Sequence, residues 1–198
     1  MITDDLKCAD NCHAAYSKAN QVLGMIRRTI RHKSKDILLP LYKTLVRPLI
    51  EYCTPAWSPH YCKDKALLEK VQHRFTRLIP GLKNMEYHER LDRLHLWTLK
   101  QRRNRADLIE LFKIHKGLSG IKILDMFEPA NDQRTRGHSL KLKKHYCHLD
   151  LRKFFFSERV VSRWNALDEE AVSARTVNSF KNHLQRIRQQ QISFFTDN

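Results

Sequence analysis

Apolar residues recur at helical spacing through most of this chain, and the polar positions between them mark out the elements. Cys12, Tyr16, Ala19, Leu23, Ile26 and Ile30 fall on one stripe of a first helix, with Lys7, Lys18, Arg28 and Arg31 outside it. Asp4 or Asp5 is placed to cap its start by accepting from free backbone N–H groups. Ser34 is placed to cap a second helix, with Ile37, Leu38, Leu41, Leu45 and Leu49 as its stripe and Lys43, Arg47 and Glu51 facing out. Pro40 and Pro48 each remove a helix hydrogen bond, so a bend or break is expected near them. "TPAWSP" ends that element.

Asp64 is the expected cap of a third helix that buries Leu67, Leu68, Val71, Phe75, Leu78 and Ile79, with Lys70, His73, Arg74 and Arg77 opposite. Pro80–Gly81 stops it. Shorter helices are predicted near Tyr87–Leu94 and from Thr98 to Lys116, the latter ended by Gly117 in the left-handed conformation. Periodicity fades between Glu128 and Asp150, where "HSLKLKKHY" alternates and predicts a short strand or an extended arm. Helical spacing returns from about Leu151, with Phe156, Val160, Trp164 and Leu167 on one face, a break near Asp168–Ser173, and Phe180, Leu184 and Ile187 beyond it. The predicted fold is mainly α: a helical bundle over residues 1–127, a basic irregular or short β segment over 128–150, and C-terminal helices over 151–198.

Composition supports this outline. The 198 residues include only 5 Gly and 6 Pro, too few turn formers for an all-β design, and 41% hydrophobic residues argue against disorder throughout. Five cysteines (Cys8, Cys12, Cys53, Cys62 and Cys147) show no disulfide-framework spacing, so a reducing intracellular compartment is expected, nuclear or cytoplasmic. No apolar run approaches a membrane span, and no membrane partner is expected.

Charge changes the picture more. Lys and Arg number 37 against 21 Asp and Glu, a net charge of +16 that favours a polyanionic partner. Between Arg134 and Arg163 lie Arg134, Arg136, Lys141, Lys143, Lys144, Arg152, Lys153, Arg159 and Arg163 against only Asp150 and Glu158. On a continuous helix Arg152, Arg159 and Arg163 would fall within roughly 40° of one another and flank the Phe156/Trp164 face. Arg102, Arg103 and Arg105 form a second cluster. These twelve are the candidate nucleic-acid contacts, with a solvated face of long side chains as the plainer account. Tyr52, Trp57 and Trp164 are candidate base-stacking residues, although aromatics at helical spacing more often belong to a core.

Catalytic chemistry finds little footing. The aspartate pair of "ITDDLK" invites a two-metal reading, but a helix begins at once and a capping role accounts for it better. Cys8, Cys12 and His13, and likewise His145, Cys147 and His148, lack zinc-ligand spacing. No catalytic residue, metal site or cofactor is assigned.

Five blocks, "KANQVLGMIRRT", "LYKTLVRPLIEYCTPAWSP", "LLEKVQHRFTRLIPGL", "RTRGHSLKL" and "RKFFFSERVVSRWNAL", resemble in that order the C-terminal part of reverse transcriptases from non-LTR, LINE-type (jockey-like) retrotransposons. The resemblance spans about Asp5 to Leu184. It implies a helical thumb and the segment after it, whose task is to grip a template–primer backbone of RNA, DNA or RNA–DNA hybrid. The family's Tyr/Phe-x-Asp-Asp loop does not occur in this sequence, nor do fingers and palm; Mg²⁺ would belong only to the intact polymerase. The resemblance makes "ITDDLK" the end of a palm strand running into the thumb, with Met1 opening partway through a domain, and Cys8 stands where the family often has Trp.

The leading expectation is therefore a fragment of an RNA-directed DNA polymerase, not an enzyme by itself, with sequence-independent nucleic-acid binding. Three others compete: an incomplete gene model of an active polymerase, a helical interaction module that pairs with a palm-containing polypeptide or with itself, and a relic without function.

Overall fold

The computed structural model describes residues 8–130 and 137–196. It divides into two compact units, Met1–Arg103 and Asn104–Asn198.

In the first unit, α1 (Ala9–Thr29) buries Cys12, Ala15, Ala19, Leu23 and Ile26. It packs against α5 (Cys62–Leu78), which buries Leu68, Val71 and Phe75 together with the polar Gln72 and Thr76. Asp64 does not cap α5: Tyr61 holds that place in extended backbone, and Asp64 lies buried in the first turn. Ser34 does sit at the head of α2 (Lys35–Leu41), although its side chain makes no capping hydrogen bond there.

Between Pro40 and Pro48 the chain neither breaks nor stays α-helical. A π turn, Tyr42–Val46, joins α2 to α3 (Arg47–Glu51), and the Arg47 N–H bonds back to the Tyr42 carbonyl. Pro48 thereby falls in the first turn of α3, where a missing N–H is tolerated. The Thr44 hydroxyl donates to the Pro40 carbonyl at 2.9 Å. The buried positions are Leu38, Tyr42, Val46 and Ile50, whereas Ile37 and Leu45 of the expected stripe are exposed. Three steps of four residues drift by about 120° on an ideal α-helix. One extra residue in a π turn takes back about 100° of that, so the four side chains share a face. α4 (Thr54–Trp57) follows a left-handed Cys53. α6 (Tyr87–Arg93) and the start of α7 (Leu99–His115) complete the unit's elements.

α7 carries the chain into the second unit. It ends as expected: Gly117 has φ +67°, its N–H bonds the Ile114 carbonyl, and the Leu118 N–H reaches the Lys113 carbonyl. α8 (Ile123–Met126) is a single turn. The expected short β segment is not there. Among the described residues no strand or sheet forms, and the sole pairing of that kind is an isolated antiparallel bridge between Pro129 and Leu142. The alternating segment is extended; the Ala130 N–H donates to the Lys141 carbonyl (3.0 Å) and the Lys143 N–H to the Glu128 carbonyl (2.8 Å), and side chains add further bonds to its backbone. The Asn165 amide accepts from the Leu142 N–H (2.9 Å) and donates to the Leu142 carbonyl (2.7 Å), and the Trp164 indole donates to the Leu140 carbonyl at 2.8 Å. The fold class is thus a mainly helical bundle, with no β-strand among the described residues.

The C-terminal helix is also more broken than its periodicity predicts. α9 (Asp150–Lys153), α10 (Phe156–Arg159) and α11 (Val161–Asn165) are separate short pieces. Three consecutive phenylalanines cannot share one helical face. Phe156 is buried edge-on against Phe127, Phe155 is exposed, and the backbone turns extended at Phe155 to allow it. α12 (Glu169–Val172) and α13 (Val177–Gln190) are capped by the Asp168 and Thr176 side chains, which accept from the Ala171 and Ser179 N–H groups. A 3₁₀ turn, Ile192–Phe195, packs on α13. Among the described residues no helix is long and apolar enough to cross a membrane.

Candidate nucleic-acid interface

Most of the twelve candidate cations are engaged within the fold. In the second unit, Arg159 forms a two-pronged pair with the buried Asp107, with Nε–Oδ2 and Nη2–Oδ1 both 2.8 Å, and also donates to the Phe154 carbonyl. Arg163 donates to the Thr196 carbonyl at 3.2 Å and Arg105 to the Lys181 carbonyl at 3.4 Å. Lys141 is half-buried and lies over Gly137. Because α9, α10 and α11 are separate, Arg152, Arg159 and Arg163 do not form the single helical row that the spacing predicts.

Four of the candidate cations in this unit are exposed: Lys143, Lys144, Arg152 and Lys153. Their heads are partnered at the surface. Lys143 pairs with Glu128 at 2.7 Å, Lys144 donates to the Ser162 hydroxyl at 2.6 Å, Arg152 reaches Glu158 at 3.4 Å, and Lys153 stands over the Phe154 ring. Such exposed pairs are weak and exchange readily for phosphate contacts. Arg134 and Arg136 lie outside the described residues.

Glu158 and Glu128 organise this surface. His145 bridges them, Nδ1 to Glu158 at 3.1 Å and Nε2 to Glu128 at 3.0 Å, and its pKa is raised by the Glu128 hydrogen bond and then by Glu158. Hydrogen bonds from Lys143 and His145 hold Glu128 below the usual carboxylate range. Sequence reasoning did not single out this bridge, since its three members are 17 and 13 residues apart and no periodicity links them.

In the first unit, Arg103 is buried and Arg102 grips Glu51 with Nε on one oxygen and Nη2 on the other at 2.8 Å. Of the candidate stacking residues, Trp57 and Trp164 are buried, whereas Tyr52 is 81% exposed with its carbonyl held by the Trp57 indole. Tyr146, not singled out from the sequence, is 86% exposed. The Asp4–Asp5 pair lies outside the described residues.

Among the described residues, no group of three or more His, Cys, Asp or Glu is arranged to hold a metal ion. The Cys12 thiol is pushed up to about 12 by burial, reinforced by Asp64 and Cys8, and is therefore no nucleophile at neutral pH. No family model matches this chain, and no curated protein or solved structure matches it either.

Proposed function

We propose that this chain is a non-catalytic fragment related to LINE-type reverse transcriptases, and that it binds RNA or DNA backbones without sequence preference. One observation carries the binding: 37 Lys and Arg stand against 21 Asp and Glu. Even if each carboxylate offsets one cation, a surplus of sixteen positive charges remains, and phosphodiesters are the abundant polyanion that fits. The exposed cations at Lys143, Lys144, Arg152 and Lys153 support the reading, because their surface partners yield at little cost. The kinship to reverse transcriptases rests on the five ordered sequence blocks.

Anisotropy titration of a labelled RNA–DNA hybrid across a salt series tests it. The log of affinity should fall by about 0.7–0.9 per neutralised phosphate for each log unit of salt, with a total slope of several. Micromolar or weaker binding at low salt would remove the binding claim. Nucleotide incorporation by the purified chain would overturn the claim that it is non-catalytic.

A further inference from the structure

A second group of cations, in the first unit, is arranged differently from the surface lysines. Glu51 is shared by two guanidiniums: Arg102 is clamped on both of its oxygens, and Arg47 Nε stands 3.6 Å from Oε2. Lys43 lies four residues before Arg47 across the π turn, and no carboxylate pairs with it among the described residues. Arg47 and Arg102 thus share one acid while Lys43 stands one turn from Arg47, a local surplus of two charges. The place is recessed, with side chains only 19% (Arg47), 20% (Glu51) and 23% (Arg102) exposed. Ordinary surface charges are solvated, whereas the two guanidiniums have given up most of their water and share a single counter-charge.

The electrostatics agree with that geometry. Lys43 is held below the usual lysine range by burial first, then by Arg47, Arg102 and Lys35. Arg47 is lowered by burial and by Arg102, against Glu51 and Tyr42. Burial also opposes the charge on Arg102, but its hydrogen bond to Glu51 outweighs this and raises it.

We propose that Lys43, Arg47 and Arg102 form a recessed site for a backbone phosphate of nucleic acid, with Glu51 as the resident anion that the phosphate competes with for the two guanidiniums. A tetrahedral phosphate offers oxygens in several directions, which suits an ammonium and a guanidinium converging one helical turn apart; a carboxylate is planar and is best met by a single fork. The site rests on the nucleic-acid reading above and gives it a specific contact point.

The test uses the full chain and a short RNA–DNA hybrid. Lys43→Gln and Arg47→Gln should each flatten the log-affinity against log-salt slope by about 0.7–0.9, a loss of roughly six-fold at about 0.1 M salt. Glu51→Gln, which releases both guanidiniums, should tighten binding. Lys70→Gln, an equal charge loss on the outer face of α5, should change the slope less than half as much. Circular dichroism of each variant establishes that it is folded. If the wild-type chain binds but Lys43→Gln and Arg47→Gln leave the slope unchanged, the site is overturned while the broader reading stands. Equal loss from Lys70→Gln also overturns it, showing diffuse attraction instead. Preference for a polyglutamate peptide over the hybrid overturns the phosphate assignment. Absence of wild-type binding removes both claims.

Discussion

Gln72 shows what one residue can hold together. Fully buried in α5, it accepts from the Tyr42 hydroxyl (2.8 Å) and donates to the Trp97 carbonyl (2.9 Å) and the Tyr87 hydroxyl (3.1 Å). Tyr87 in turn donates to Glu69, whose carboxylate accepts from the Leu99 N–H at 3.0 Å and so caps the head of α7. Burial raises the Glu69 pKa, against the lowering hydrogen bonds from Tyr87 and Leu99. Replacing Gln72 with Leu strands several buried polar groups, each costing about 1–3 kcal/mol. We expect Gln72→Leu to lose roughly 2–5 kcal/mol in urea unfolding, and a loss below about 1 kcal/mol would show that the network is slack. Periodicity could not reveal this network: it sorts a glutamine with the outward polar residues, and the partners of Gln72 lie 15 to 30 positions away. The apolar neighbours Leu68, Val71 and Phe75 were legible because each is buried by its own character.

Between elements, the Glu128–His145–Glu158 bridge ties the extended segment to α10 and makes its anchoring depend on pH. The raised pKa of His145 means that its stabilisation is complete below the ordinary value of 6.5 and is lost as pH rises through the raised one. The lowered pKa of Glu128 means the reverse: its contribution is complete above 4.5 and is lost as pH falls through the lowered value. The clip should hold best between pH 4.5 and 6.5. NMR titration of the His145 ring should give a midpoint above 6.5, and hydrogen exchange at the Lys143 amide should quicken as pH rises past it, beyond the normal base-catalysed trend. A midpoint at or below 6.5 would mean that the bridge does not persist in solution. Element ends with a local cause, such as Gly81 and Gly117 at positive φ, were legible in the sequence. Alternation left a short strand and an extended arm both open for this segment, because it reports which side chains are buried, not what bonds the backbone. Asn165, 23 residues downstream of Leu142, supplies part of that bonding, beside two backbone bonds to Glu128 and Ala130.

At the scale of the molecule, the net charge of +16 works against compactness, because like charges crowd together on folding. Screening relieves this, so raising sodium chloride from about 0.01 to about 0.5 M should raise the thermal unfolding midpoint by a few degrees. A midpoint that falls with salt would show that attractive pairs such as Arg159–Asp107 outweigh the repulsion. The mainly helical class was legible from spacing alone. The occupation of individual cations was not, because a count of charges cannot tell that Arg103 is buried, or that Arg102 and Arg159 are locked on Glu51 and Asp107.

The π turn at Tyr42–Val46 also makes the register of this segment depend on its winding. Ordinary α winding of the same residues would swing everything downstream by about 100°. Ile50 would then point away from the core that holds Leu38, and Glu51 away from Arg102. Deleting the exposed Leu45 would instead leave Leu38 and Ile50 eleven residues and about 20° apart on an ordinary helix, so the packing and the charge cluster should survive that change.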